Sequence, residues 1–89
     1  MPKPRRAGGY AVEQLEDELL LFHPGRGSIV ALNPAAVLVW NLCDGVRTAG
    51  EIADLIAAAY PESAAQVRGD VDEVVALLAG HGALDLVAD

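Results

Sequence analysis

The chain has 89 residues, of which 53% are hydrophobic and 21% charged, and its formal net charge is −7. This length and composition predict one globular domain rather than a disordered segment, with an aliphatic core because aromatic residues are scarce. Residues 1–39 carry four basic and four acidic residues, whereas residues 40–89 carry two basic and nine acidic residues. The negative second half would repel phosphate, so its charge argues against a nucleic-acid-binding surface there.

The cysteine count and the hydropathy pattern indicate the compartment. A single cysteine, Cys43, excludes an internal disulfide and fits a reducing environment. The basic N-terminus is not followed by the apolar run of a signal peptide, and no apolar stretch approaches the roughly 20 residues that a membrane helix needs. We therefore expect a cytoplasmic protein without a membrane contact. Residues 1–9 are predicted to be a disordered basic arm, and residues 10–87 a single domain.

Three short segments near the start of the chain have strand patterns. Residues 9–15 roughly alternate apolar and polar side chains, residues 18–23 (ELLLFH) are mainly a continuous apolar run, and residues 28–32 (SIVAL) are short and contain β-branched side chains. Glu16-Asp17 and the Pro-Gly sequence within residues 24–27 are turn signals. The pattern predicts an antiparallel meander of three strands.

Two helices are predicted to follow directly. Asn33-Pro34 begins the first helix, which runs to about Cys43 and is apolar nearly all round, so we expect it to be buried on several sides. Thr48 and Glu51 have the spacing of a capping box before an amphipathic helix, which Pro61 ends.

A third helix is predicted from an apolar stripe. Ser63 and Gln66 are a second candidate capping box, and Gly80 with Gly82 would end the helix. Gly69 lies in its first part and marks a kink, a close contact or a helix that starts only after it. The stripe consists of Val67, Val71, Val74, Val75 and Leu78. The residues after this helix form a short apolar tail that is expected to pack back on the core.

The predicted order of elements is β-β-β-α-α-α. This order is typical of an α+β domain of the winged helix-turn-helix kind, in which a three-stranded antiparallel sheet is followed by a three-helix bundle. In such a domain the first helix packs between the sheet and the other two helices.

Few residues have the chemistry of a catalytic or metal site. Cys43 lies in the most apolar helix and is expected to be a buried structural thiol. His23 and His81 are far apart, and no Cys or His pair has metal-ligand spacing. Three acidic residues within 70–73 are interpreted as a solvated face near the positive end of a helix. We therefore predict a protein that is not an enzyme and holds neither metal nor cofactor.

Binding, rather than catalysis, is the function class that the pattern supports. Residues 28–32 would form an edge strand, and they carry neither the charge nor the Pro with which proteins normally protect such edges. The edge either accepts an extended peptide as a fourth strand, or is covered by the N-terminal arm or by a second copy of the chain. The alternatives are a winged-helix DNA-binding regulator, which the charge disfavours, and a self-associating structural module.

Five segments form a recognisable pattern: LLFHP (residues 20–24), Leu32-Asn33, Trp40, LCDGVRTAGEI (residues 42–52) and the segment from Asp70-Val71 to Gly82. This pattern resembles the PqqD-like family over about residues 10–84. Members of this family are small winged-helix domains that act as peptide chaperones, also called recognition elements for ribosomally synthesised, post-translationally modified peptides. Members that serve pyrroloquinoline quinone synthesis tend to carry a Trp soon after the third helix, where this chain has Ala83-Leu84, so the resemblance implies the general function.

The resemblance also implies a mode of binding. The leader of a precursor peptide would add as an antiparallel strand to the third strand and lie in the groove between that strand and the third helix. The chain would then present the precursor to a modifying enzyme, often a radical S-adenosylmethionine enzyme, or to a leader peptidase. The strand residues are Ser28, Ile29, Val30, Ala31 and Leu32. The helix residues are Val67, Arg68, Val71, Val75 and Ala79. Of these, Arg68 either pairs with an acidic leader residue or is a solvated surface charge.

Overall fold

The computed structural model describes residues 2–87 and contains the predicted strands and helices together with two further strands. The elements are β1 (Lys3–Arg6), β2 (Ala11–Leu15), β3 (Glu18–His23), β4 (Ser28–Leu32), α1 (Pro34–Leu42), α2 (Ala49–Ala59), a 3₁₀ turn (Pro61–Ser63), α3 (Ala64–Gly80) and β5 (Leu84–Val87). The prediction of an α+β fold, with a three-stranded antiparallel sheet before three helices, is confirmed. The sequence did not predict β1 or β5.

The sheet formed by β2, β3 and β4 has the strands in chain order, so β4, the third predicted strand, is an edge. Its register pairs Leu21 with Val30 and Leu19 with Leu32. All four side chains are buried, because alternate residues of a strand point to the same face and this face meets the helices.

Both turns of the sheet lie where the sequence predicts them. Between β2 and β3 the chain turns through Glu16, whose φ of 51° is uncommon for a residue with a side chain, and its carbonyl accepts a hydrogen bond from Gln14 Nε2 at 3.0 Å. Between β3 and β4, the backbone N–H groups of Arg26 and Gly27 donate to the His23 carbonyl at 3.1 and 2.8 Å. Gly27 has a φ of 66°, which glycine adopts without steric cost.

The N-terminal residues belong to the fold. Residues 3–6 form a strand, so the prediction of a disordered arm at residues 1–9 is wrong for this segment. β1 pairs antiparallel with β5, with Arg6 opposite Leu84, and Pro4 is fully buried. On its other side, the Pro4 carbonyl accepts a hydrogen bond from the Gly45 backbone at 2.9 Å. The segment KPRR shows no apolar periodicity, and its partner strand lies at the other end of the chain, so no local pattern signals the pairing. Met1 lies outside the described residues.

Both ends of α1 are capped. At the start, the Asn33 side chain accepts a hydrogen bond from the Ala36 backbone at 2.8 Å, as predicted. At the end, Arg6 Nη1 donates to the carbonyls of Trp40 at 3.1 Å and Asn41 at 2.9 Å. Carbonyls in the last turn have no partner within the helix, and a guanidinium there also opposes the negative end of the helix dipole. A residue of β1 therefore supplies the C-terminal cap of α1.

The two later helices begin differently. At α2 the predicted capping box is present: the Glu51 N–H donates to Thr48 Oγ1 at 3.1 Å, and the Thr48 N–H donates to Glu51 Oε1 at 2.9 Å. At α3 the second candidate box is absent, since Ser63 makes no capping hydrogen bond and the chain enters the helix through the 3₁₀ turn. The helix already begins at Ala64 and passes through Gly69, where a side chain would meet no close neighbour.

The end of α3 is a Schellman motif. Gly82 has a φ of 74° and its N–H donates to the Ala79 carbonyl at 3.0 Å, while the Ala83 N–H donates to the Leu78 carbonyl at 2.8 Å. Ala83 and Leu78 are both fully buried, so an apolar contact accompanies the hydrogen bonds. The motif directs the chain into β5, whose first residue, Leu84, packs on the core as the sequence predicts for the apolar tail.

The core lies between the inner face of the sheet and the three helices. Among residues 2–87, Trp40 is the one aromatic side chain in it, in agreement with the composition. The largest fully buried side chains are Leu21, Leu32, Ile52, Val71 and Leu78. Within the same residues, no helix combines the length and the apolar character needed to cross a membrane.

Replacing Arg6 by Ala is expected to lower the free energy of unfolding by about 1–2 kcal/mol, because the carbonyls of Trp40 and Asn41 lose a charged donor. Arg5→Ala is the matched control, since Arg5 forms an exposed ion pair with Asp85 at 3.6 Å. Its expected cost is under about 0.5 kcal/mol. Urea denaturation followed by circular dichroism measures both. Equal losses would show that Arg6 does not cap α1.

Candidate functional site

The outer edge of β4 is open. Within residues 2–87, β4 pairs with β3 only. The predicted N-terminal cover is absent, because β1 pairs with β5 instead. Val30 and Leu32 face the core, whereas Ile29 and Ala31 are exposed on the outer face of the sheet. Alternate backbone N–H and C=O groups of this strand therefore point outward and can pair with an added strand.

β2, the other edge strand of the same sheet, differs from β4 in its burial. All residues of Ala11–Leu15 are exposed, so no helix covers this strand on either face. β4, in contrast, holds two core residues and leads directly into α1. Of the two edges, only β4 combines open backbone groups with an adjacent helical surface.

A groove of about 430 Å³ begins where β4 ends. It lies between α1 and the first half of α3, and the end of α2 closes it. The lining is mainly apolar. From α1 it contains Pro34, Ala35, Leu38 and Val39. From α3 it contains Gln66, Val67, Asp70, Val71 and Val74. The lining is completed by Ile56, Tyr60 and Ser63.

The groove explains why α1 is apolar nearly all round. Val39 and Trp40 of α1 are buried, as predicted, but Leu38 is 37% exposed and Ala35 is also exposed. A helix face that meets only water normally carries polar side chains. On α1 that face is apolar and forms one wall of the groove. The helix therefore packs on the core with one side and lines the groove with the other.

β4 and α3 run in opposite directions, and the groove lies at one end of the β4 edge. At the β3–β4 turn, the guanidinium of Arg26 lies against Gly82, where a Cβ would clash with it. At the far end, Pro34 follows β4 directly and lines the groove together with Val67 and Val71 of α3. The edge and the groove therefore follow one another along α3.

The predicted α3 residues lie on two different faces. Val67 and Val71 are buried and line the groove. Arg68, Val75 and Ala79 have i, i+7, i+11 spacing and share another face, and none of them lines the groove. Arg68 pairs with Asp54 of α2, whose Oδ1 accepts a hydrogen bond from Arg68 Nη2 at 2.5 Å. The only base on α3 therefore lies on the α2 side, away from the groove.

Several groove residues were not predicted from the sequence. Asp70 and Val74 of α3 line the groove, and Leu77, at i+7 from Asp70, continues the same face and is 50% exposed. Val74 was part of the predicted apolar stripe, so helical spacing did signal it. Leu38 had no such signal, because only the packing of α1 against α2 and α3 makes it part of the groove.

Cys43 is buried and lies outside the groove lining. Its Sγ donates to the Val39 carbonyl at 3.1 Å, and burial raises the pKa of the thiol to about 11. Burial disfavours the thiolate, which is the nucleophilic form of cysteine. The thiol is therefore structural, as the sequence predicts.

Two carboxylates with lowered pKa values stabilise the connection between α1 and α2. The backbone N–H of Val46, followed by that of Arg47, donates to Asp44 and lowers the pKa of its carboxyl. The backbone N–H of Thr48 lowers the pKa of Glu51 in the same way. Both carboxylates satisfy backbone donors and lie outside the groove. Within residues 2–87, no three His, Cys, Asp or Glu side chains are grouped to hold a metal ion.

Comparison with known proteins identifies the family. Residues 18–84 match the family model described as Coenzyme PQQ synthesis protein D (PqqD). The chain belongs to the PqqD family. The match covers β3, β4, all three helices and the first residue of β5, so the groove and the β4 edge both lie within the PqqD domain. A comparison with curated proteins returned no match.

Two solved structures are similar to this PqqD domain. TbiB1 in complex with the TbiA(beta) leader peptide is 25% identical, with a TM-score of 0.76 over 96% of this chain and 99% of that chain. The heterocyclase TruD is 20% identical, with a TM-score of 0.65 over 99% of this chain but 12% of that chain. The fold therefore occurs both as a chain of this size and as a small part of a larger enzyme.

Cys43 is expected to react much more slowly with iodoacetamide at pH 8 in the folded protein than in urea. Its folded pKa of about 11 lies above the ordinary value of 9.0, so the folded state retains a proton that the unfolded state releases. The contribution of Cys43 to stability is therefore complete below pH 9 and is lost as the pH rises toward 11. Urea unfolding of the wild type and of Cys43→Ala across this range isolates the effect, and the wild type should lose more stability. Rapid alkylation of the folded protein would contradict the burial of the thiol.

Proposed function

We propose that this chain is a leader-peptide recognition element. It binds the leader of a ribosomally made precursor peptide and presents the precursor to a modifying enzyme, such as a radical S-adenosylmethionine enzyme, or to a leader peptidase. Membership of the PqqD family and the similarity to TbiB1, whose structure contains a leader peptide, support this function. The observation that carries it is the open edge of β4 beside an apolar groove.

The leader would bind as an extended strand antiparallel to β4. Backbone hydrogen bonds along the edge would fix the register and bind any extended peptide, whereas side-chain pockets would select among peptides. Alternate side chains of an added strand point to the same side, so those on the helix side would reach α3 and the groove beside it. Ser28–Leu32 contains neither Pro nor a charged residue, and no side chain of this strand opposes the addition.

The proposed role is binding, and a partner would supply the chemistry. The polar side chains of the groove are Tyr60, Ser63, Gln66 and Asp70. Neither a Ser nor a Tyr acts as a nucleophile without an adjacent base that activates it, and the described lining contains no His or Lys. An apolar groove with a few polar groups is suited to hold and orient a ligand.

Alternate backbone amides of β4 are expected to exchange readily with solvent in the free protein and to become protected when a leader binds. One alternate set of N–H groups within residues 28–32 bonds to β3, and the other set points outward. Amide hydrogen exchange by NMR, with a synthetic leader from the precursor encoded beside this gene, measures both sets. The outward set should slow by roughly tenfold or more, with little change in the inward set.

Two outcomes would contradict this mode of binding. Protection along Ala11–Leu15 would place the peptide on β2, and binding without protection of any strand would exclude strand addition. A dilution series without peptide is the control. Protection of the outward β4 amides that grows with protein concentration would show that the edge pairs with a second copy of the chain.

Leu38→Glu is expected to weaken leader binding by roughly tenfold or more, because it puts a charge into the apolar wall of the groove. Leu55→Glu is the matched control: Leu55 is 47% exposed on α2, outside the groove lining. Isothermal titration calorimetry gives the affinities, and circular dichroism checks that both variants fold. Equal losses of affinity would show that the groove does not contact the leader.

A further inference from the structure

Asp70 places one negative charge on an otherwise uncharged groove. Among the described lining residues it alone is charged, and it is exposed without a hydrogen-bond or ion-pair partner within residues 2–87. The helix dipole stabilises acidic side chains in the first turn of a helix. Because α3 begins at Ala64, Asp70 lies beyond that turn. The acidic residues within 70–73 are exposed, as the solvated face predicted for them requires, but their predicted position near the positive end of a helix is wrong. The fold itself makes no use of this carboxylate.

The basic residues lie elsewhere. Arg68, the base closest to Asp70 in the sequence, pairs with Asp54 across the α2–α3 interface. Three further bases are on β1, and Arg47 lies between α1 and α2. Arg26 is at the β3–β4 turn, at the opposite end of β4 from the groove. The potential in the groove is therefore set by Asp70 and by the acidic excess of the second half of the chain.

The start of α1 borders the groove and offers few free N–H donors to an anion. Pro34 has no backbone N–H, and the N–H of Ala36 already donates to the Asn33 side chain at 2.8 Å. The N–H groups through which the positive end of this helix would attract an anion are therefore largely absent or occupied. Asp70 is therefore the one formal charge in the described lining of the groove.

We propose that the groove selects leader segments that carry a Lys or Arg next to apolar residues, and that Asp70 is the specificity-determining residue. The cationic side chain would pair with the Asp70 carboxylate while neighbouring apolar side chains fill the groove. An acidic leader residue at that position would face a like charge and bind more weakly. This selectivity rests on the proposed function, because an extended peptide must occupy the groove.

Parallel selections from one peptide library test this specificity. Short random peptides displayed on mRNA are selected on the immobilised wild type, on Asp70→Asn and on Asp72→Asn. Asp72 is the matched control, since it has the same charge but lies two positions along α3, on the opposite side of the helix. Both variants lose the same net charge, so only a local effect of Asp70 distinguishes them.

The wild type and Asp72→Asn are expected to enrich peptides with apolar residues and a Lys or Arg at a fixed spacing from them. Asp70→Asn should retain the apolar preference and lose the basic one. Apolar peptides without a basic residue, or equal basic enrichment on all three proteins, would overturn the role of Asp70 and leave the proposed function intact. Recovery of no peptide on any of them would overturn both.

A double-mutant cycle with one selected peptide then measures the pairing. Asp70→Asn should weaken binding about two- to fivefold, as expected for an exposed ion pair, and replacing the basic residue of the peptide by Gln should have the same effect. Because both changes remove one interaction, their combination should weaken binding no further than either alone. Independent, multiplicative losses would show that Asp70 and the basic residue do not meet.

Discussion

The position of α1 is the constraint on which the rest of the structure depends. It packs against the inner face of the sheet through Val39 and Trp40, and both α2 and α3 contact it. Its ends are held by Asn33 at the start and by Arg6 at the end. Because β4 leads directly into α1 and α3 packs against it, the direction of this helix sets the relative positions of the β4 edge and α3. The groove is the space that this arrangement leaves open.

The two chain ends take part in this constraint. β1 and β5 form a small sheet of their own, in which the N-terminal segment caps α1 and the C-terminal segment follows the Schellman motif of α3. The helices on both sides of the groove are thus connected through this sheet as well as through the core. A ligand between them would meet walls that are already positioned, so little conformational entropy would be lost on binding.

The surfaces proposed for binding differ in what they would contribute. The β4 edge offers backbone groups, which any extended peptide can pair with, and the α1–α3 groove offers apolar contacts, which require particular side chains. Leu38 and Leu77 remain substantially exposed in the free chain, an arrangement that suits a binding surface better than a solvated one. The unpaired Asp70 would add a charge preference to these apolar contacts. Such a division would let one small domain bind an extended peptide tightly enough for transfer to a partner and still discriminate among peptides.

The sequence by itself determined the elements of this protein whose signals are local. Apolar runs, turn residues and capping residues predicted β3, β4, α1 and α2 closely, because each pattern involves residues within one or two turns of one another. The composition likewise predicted an aliphatic core and a buried Cys43. The family resemblance pointed to the strand that the structure shows as an open edge.

Only the tertiary structure decided the contacts between distant segments. KPRR became a strand because β5 lies beside it, and Arg6 became a helix cap because that pairing brings it to the end of α1. Helical spacing divided α3 into faces, but it did not show which face meets α2 and which borders the groove. That choice paired Arg68 with Asp54 and left Asp70 in the groove. The periodicity of a helix defines its faces, whereas the neighbour of each face depends on the packing of the whole chain.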